Sequence, residues 1–221
     1  MSSSGKNPDN FAKWLDNFWY HYKFHTIAVV ILLTVIVFGI YQLINRQKVD
    51  MTIYYVCRDP VIVDESTAAL TQTIQHYGYD YDGDGKVNIV IKTLFIGDEY
   101  NEQNAQLVED NLSEFFTAYQ GGGVMLIIAD GYGAKYISEK ELFGDISDIA
   151  PDAEYDGTVF NAAGSDFINQ ESMETWGDKE LYFGLRVYNE DSFINIQKDA
   201  KDRYEYAKSV LKNIINNTQV S

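Results

Sequence analysis

The chain has 221 residues, with 33 acidic against 17 basic side chains and a formal net charge of −16. So acidic a chain repels phosphate backbones and anionic headgroups, which argues against nucleic acid and for cations or partners with basic patches. Cys57 is its one cysteine, so no internal disulfide can form. The apolar stretch around it reads as a strand with a buried thiol.

The first 25 residues form a short cytoplasmic and interfacial tail. Phe11, Trp14, Leu15, Phe18, Trp19 and Tyr22 recur at helical spacing, and aromatic rings with a polar edge favour the headgroup layer. Residues 26–44 carry no charge and are dominated by Ile, Val, Leu and Phe. Such a segment gains on the order of −5 kcal/mol on membrane insertion. It spans roughly 28 Å as a helix, close to one hydrocarbon core. No small-residue cleavage site follows it, so it reads as an uncleaved signal anchor. The flanking basic residues are nearly balanced: Lys6, Lys13 and Lys23 precede the segment, and Arg46, Lys48 and Arg58 follow it. Orientation therefore rests on the short tail and large C-terminal domain, which place the N-terminus inside and the domain outside the cell membrane.

Residues 45–50 form a linker and 51–221 an extracytoplasmic domain. Met51–Cys57 predicts a strand. Asp64 opens a helix running to about Tyr77, and Gly78 ends it. Residues 87–96 alternate as a largely buried strand. Residues 101–120 place Ala105, Val108, Leu112, Phe115, Phe116 and Tyr119 at three- and four-residue steps, as a helix does. Residues 124–129 are a continuous apolar strand of the doubly buried kind. Ser138 with Glu141 three residues on has the form of a capping box opening another helix. A strand is expected at 158–160 and another at 181–188. Residues 198–216 predict a closing amphipathic helix. Strands alternating with helices predict an α/β fold: a mainly parallel sheet with helices on both faces.

The phrase Val124-Met125-Leu126-Ile127-Ile128-Ala129-Asp130, followed by a helix and Phe143-Gly144-Asp145-Ile146-Ser147-Asp148, resembles the first lobe of type II extracytoplasmic solute-binding proteins. The aromatic approach to one spanning helix and the Asp82-Gly83-Asp84-Gly85-Lys86-Val87 loop resemble membrane-anchored proteins of clostridial Firmicutes. The resemblance covers about residues 51–149. It implies a reduced periplasmic-binding-protein-like lobe with a binding, accessory or sensor role. The implied partner is a membrane protein or a small-molecule ligand. A full binding protein of that type has two lobes, and the chain after the anchor has room for one and a fragment.

Asp80, Asp82, Asp84, Lys86 and Asn88 fall at positions one, three, five, seven and nine of a calcium loop, with Gly85 at the sharp turn. Position twelve is Ile91, where a bidentate acid belongs. Either calcium binds, with water or a distant carboxylate supplying the missing ligand, or the segment is a polar turn. Asp130 and Tyr132 follow a strand at the edge where open α/β sheets bind ligands; the alternative is a flexible loop. Arg186 inside an apolar strand requires a carboxylate partner or recognises an anion.

Signals for catalysis are absent from the sequence. His76 is the one histidine outside the membrane-proximal region and reads as a surface or capping residue. There is no Gly-x-Ser-x-Gly elbow and no phosphate-binding Gly-Lys-Ser/Thr. The leading expectation is a non-enzymatic membrane-anchored binding or accessory protein that requires no cofactor, with calcium as a candidate. The alternatives are a solute receptor feeding a transporter and a cell-envelope hydrolase using a carboxylate pair.

Overall fold

A computed structural model describes residues 8–44, 48–58, 65–97, 105–176, 179–189 and 199–220. The expected helix start at Asp64, residues 101–104 and Lys198 lie outside this set. The chain divides into two compact units, Met1–Gln47 and Lys48–Ser221.

The first unit is one continuous helix, α1 (Pro8–Ile44). The aromatic tail and the apolar run join without a break. Its segment Phe11–Tyr41 is long and apolar enough to cross a membrane, and the large apolar side chains along it are exposed. Three- and four-residue steps put Phe11, Trp14, Phe18 and Tyr22 in one ladder, with ring centroids 6.0, 5.6 and 5.3 Å apart.

The second unit is built on five strands: β1 (Met51–Cys57), β2 (Ile89–Phe95), β3 (Leu126–Ala129), β4 (Phe160–Asn161) and β5 (Tyr182–Leu185), in the order β2-β1-β3-β5-β4. β1 is parallel to β2 and β3, whereas β5 is antiparallel to β3 and β4. The sheet is therefore mixed rather than all-parallel: β1 to β4 run in one direction and β5 alone runs against them. β5 is buried at all four positions, as a parallel strand would be, so its composition carries no sign of its direction.

Helices α2 (Glu65–Gln75), α3 (Ala105–Gln120), α4 (Gly131–Glu139) and α6 (Ala200–Ile215) flank the sheet, with a single turn α5 (Glu154–Gly157) and a 3₁₀ helix Glu171–Trp176. Strand alternation sorts β1 into two cores. Ile53, Tyr55 and Cys57 pack with Leu70 and Ile74 of α2, Trp176, and Tyr206, Val210 and Ile214 of α6. Tyr54 and Val56 pack on the other face with Phe115 and Tyr119 of α3 and Ala134 and Ile137 of α4. Each fully buried large apolar side chain contributes about 1.5–3 kcal/mol. Trp176 also satisfies its indole nitrogen, donating to the Ser66 carbonyl at 2.8 Å.

The expected capping box at Ser138 is not formed. Ser138 lies in the last turn of α4, and Glu141 follows that helix with φ 54°. Asp130 caps α4 instead, accepting from the Gly133 N–H at 2.7 Å. The segment 131–133, expected as a loop, is thus the first turn of a helix. Two glycines lower helix propensity there, but Gly133 is required by packing: a Cβ would sit 2.3 Å from the Val56 carbonyl oxygen.

In α5, Tyr155 (φ 49°, ψ 55°) and Asp156 (φ 61°, ψ 34°) are left-handed, and Gly157 continues with φ 84°. This conformation costs roughly 1–2 kcal/mol for each residue carrying a Cβ. The turn is held by Glu154 N–H to the Val159 carbonyl at 2.8 Å and by the Thr158 hydroxyl to the Tyr155 carbonyl at 2.7 Å.

Candidate functional site

β1 lies between two parallel neighbours reached by connections in opposite directions, β2 on one side and β3 on the other. This is a topological switch point, and open α/β sheets take ligands at the strand C-termini there. Asp130 and Tyr132 occupy that edge. The Asp130 carboxylate accepts from the Arg58 N–H at 2.7 Å through Oδ2 and from the Gly133 N–H through Oδ1. It thus ties the end of β1 to the start of α4. The Arg58 guanidinium lies 5.7 Å from the centre of the Tyr132 ring. With both oxygens engaged by backbone donors, Asp130 organises the edge.

Arg186 is not part of this edge. It follows β5, which runs antiparallel to β3, and its N–H donates to the Met125 carbonyl at 2.9 Å. That places it at the opposite end of β3 from Asp130. The side chain is buried at 3 % exposure, and its described contacts are not with a carboxylate. The guanidinium stacks 4.6 Å from the Tyr119 ring centre, and Nε donates to the Val187 carbonyl at 3.2 Å. Nη1 has no hydrogen-bond partner among the described residues. Burial lowers the Arg186 pKa, partly offset by Tyr119. Asp130, Tyr132 and Arg186 therefore form two separate places, not one site.

The aspartate loop is folded around its own carboxylates. Asp80 Oδ1 accepts from the N–H groups of Gly83 (2.7 Å) and Asp84 (3.1 Å), and Oδ2 accepts from Gly85 (2.7 Å). Gly85 has φ 86°, the left-handed geometry a sharp turn needs. Asp84 accepts from the Lys86 N–H at 3.0 Å, and the Asn88 side chain donates to the Lys48 carbonyl at 2.6 Å. Neither points to a shared centre with Asp80.

Instead, Asp50, Asp80 and Asp82 bring carboxylate oxygens within 4.8 Å of one another. Asp50 is buried and accepts from the N–H groups of Tyr81 (3.0 Å), Asp82 (3.2 Å) and Asn88 (2.6 Å). Asp82 Oδ2 is shielded from solvent and has no hydrogen-bond partner among the described residues. Three converging carboxylates, one with an idle buried oxygen, suit a hard divalent cation with oxygen ligands. Asp50 is a distant carboxylate of the kind the loop pattern called for. Its only sequence signal is an acid placed immediately before β1.

No protein family model, curated protein or solved structure matches the chain.

Proposed function

We propose that this chain is a single-pass membrane-anchored binding protein without catalytic activity, its α/β domain held outside the cell membrane as an accessory or sensor module. The observation that carries the reading is α1, a helix whose apolar side chains are exposed over the length of a bilayer. A soluble helix would bury such a stripe, and lipid removes the cost of exposing it. The β1/β3 edge supports a binding role, because Asp130 ties the end of β1 to the start of α4 at the strand C-termini where ligands of open α/β sheets sit. The likeness of residues 51–149 to a solute-binding lobe points the same way. The Asp50–Asp80–Asp82 cluster supports calcium as a structural cation of the domain.

Topology is tested by protease shaving of intact cells carrying a C-terminal epitope. The reading expects loss of the epitope without lysis, leaving a short membrane-protected N-terminal fragment. Full protection until lysis would overturn it.

A further inference from the structure

Phe11, Trp14, Leu15, Phe18, Trp19 and Tyr22 gather on one side of α1 and are 38–66 % exposed. We propose that this face is a dimer seam: it packs against the same face of a second copy of the chain, parallel and in register, beside the membrane surface. The proposal rests on α1 being the membrane anchor and goes beyond it by naming what covers the helix outside the lipid.

Lipid covers only part of this face. At 1.5 Å per residue the 37 residues of α1 reach roughly 55 Å. A bilayer is roughly 30 Å of hydrocarbon, or about 40–45 Å with its headgroups. With residues 26–44 filling the hydrocarbon, one headgroup layer takes up about one further turn. That turn holds Tyr22, and Phe11 to Trp19 stand clear of it. No proline or glycine falls between residues 9 and 38, and the helix is unbroken. The rod therefore has no hinge by which to fold down onto the headgroups. The charges of Lys13, Asp16 and Lys23 oppose drawing it deeper into hydrocarbon. A contiguous row of aromatic side chains is left facing water, and such a patch marks an interaction surface.

The spacing selects a second copy of the same helix. Phe11, Leu15, Phe18 and Tyr22 recur at steps of four, three and four, which is the seam of a left-handed coiled coil. Trp14 and Trp19 flank that seam at the two positions a parallel pair brings together, so Trp14 of each copy meets Trp19 of the other. Lys13, Asp16 and Lys23 fall at outer positions of the same heptad, and pairing sets no like charges face to face. Two copies anchored in one bilayer carry the face at one height and in one orientation, as a two-fold interface requires. The rings of Phe11, Trp14, Phe18 and Tyr22 are already stacked along the helix, with neighbouring centroids no more than 6.0 Å apart. Little side-chain freedom remains to be lost on pairing. An aromatic side chain buries about 150–250 Å² in full. Half of that from each of the six residues gives about 1,000 Å² or more per pair, the size a specific interface needs.

The test is oxidative crosslinking of the full chain in isolated membranes, with copper phenanthroline as oxidant. The wild-type chain is the control and should stay monomeric, because Cys57 is buried. Leu15→Cys and Phe18→Cys should give a covalent dimer of twice the chain's mass, at least about fivefold above Lys13→Cys and Asp16→Cys on the outer side. Adding Trp14→Ala and Trp19→Ala to Leu15→Cys should cut that dimer by about the same factor, the scale of one strong interface contact. Alkaline extraction of the same membranes separates this proposal from the reading beneath it. Retention in the pellet without a seam-specific dimer would overturn the pairing and leave the anchor standing. Release into the supernatant would overturn both. Equal yields from the two faces would also overturn the pairing, as would an adduct of another mass, which assigns the face to a different protein.

Discussion

Arg186 shows how a side chain can be buried with no salt bridge among the described residues. Burial of an arginine is tolerated here because the planar guanidinium stacks on Tyr119 and donates to a carbonyl beside it. Among the described residues no carboxylate pairs with it; the neighbours that raise its pKa are Tyr119 and Tyr188. A buried ion pair broken by mutation costs about 3–5 kcal/mol, because a charge is left uncompensated. Among the described residues, Arg186 leaves no such charge behind. Arg186→Met should therefore retain the wild-type urea midpoint or raise it. Arg186→Lys should lower it, since the ammonium keeps the charge and loses the stacked plane. A loss of several kcal/mol in Arg186→Met would reveal a hidden acidic partner.

At the level of elements, α6 fastens the aspartate loop to the body of the domain. Tyr206 donates to the Tyr79 carbonyl at 2.9 Å and stacks on Tyr81 with ring centres 5.1 Å apart. Burial pushes its phenol pKa well above the ordinary value near 10, and the same cause acts on Tyr55 in β1. The folded state thus holds these protons to higher pH than the unfolded chain does. Their contribution is complete below pH 10 and is lost as pH rises beyond it toward the folded values. Urea melts from pH 8 to 11.5 should show a steep fall above pH 10. Tyr206→Phe should shallow that fall, while costing about 0.5–1.5 kcal/mol at neutral pH for the lost hydrogen bond.

Which elements the sequence could reveal follows from the physics of each. β1 announces itself through its β-branched and tyrosine residues and α3 through the helical period that one-sided burial imposes, and the structure gives Met51–Cys57 and Ala105–Gln120. The direction of β5 leaves no such trace: a doubly buried strand is apolar whichever way it runs. Ser138 and Glu141 satisfy a capping pattern, yet Asp130 takes the cap because α4 must start against Val56, where Gly133 lets the backbones close. The Asp80 loop is legible because its turn is local. Asp50 joins it across 30 residues, through β1–β2 pairing that a linear pattern does not record. The left-handed Tyr155–Asp156 pair is signalled only by the glycine after it.

For the whole molecule, a net charge of −16 makes every added salt mildly stabilising by screening. A specific calcium site must exceed that background. Binding to the native state alone adds RT ln(1 + [L]/Kd), about 1.4 kcal/mol when calcium stands tenfold above its dissociation constant. Melting curves in calcium and in chelator, at matched ionic strength, should differ by that order. Asp82→Asn should remove most of the difference, because it neutralises the carboxylate whose Oδ2 is idle in the cluster. It should also raise metal-free stability by relieving repulsion with Asp50 and Asp80. A calcium response identical in wild type and variant would reduce the loop to a turn.

The strand order has a consequence for how copies of the domain meet. Among the described strands β2 is an edge strand, paired with β1, and an open edge is a template for another chain. Lys92 sits mid-strand on that edge, exposed and paired with Glu114 of α3. A charge fixed there makes edge-to-edge pairing costly. The lysine acts as a guard against self-assembly through this edge.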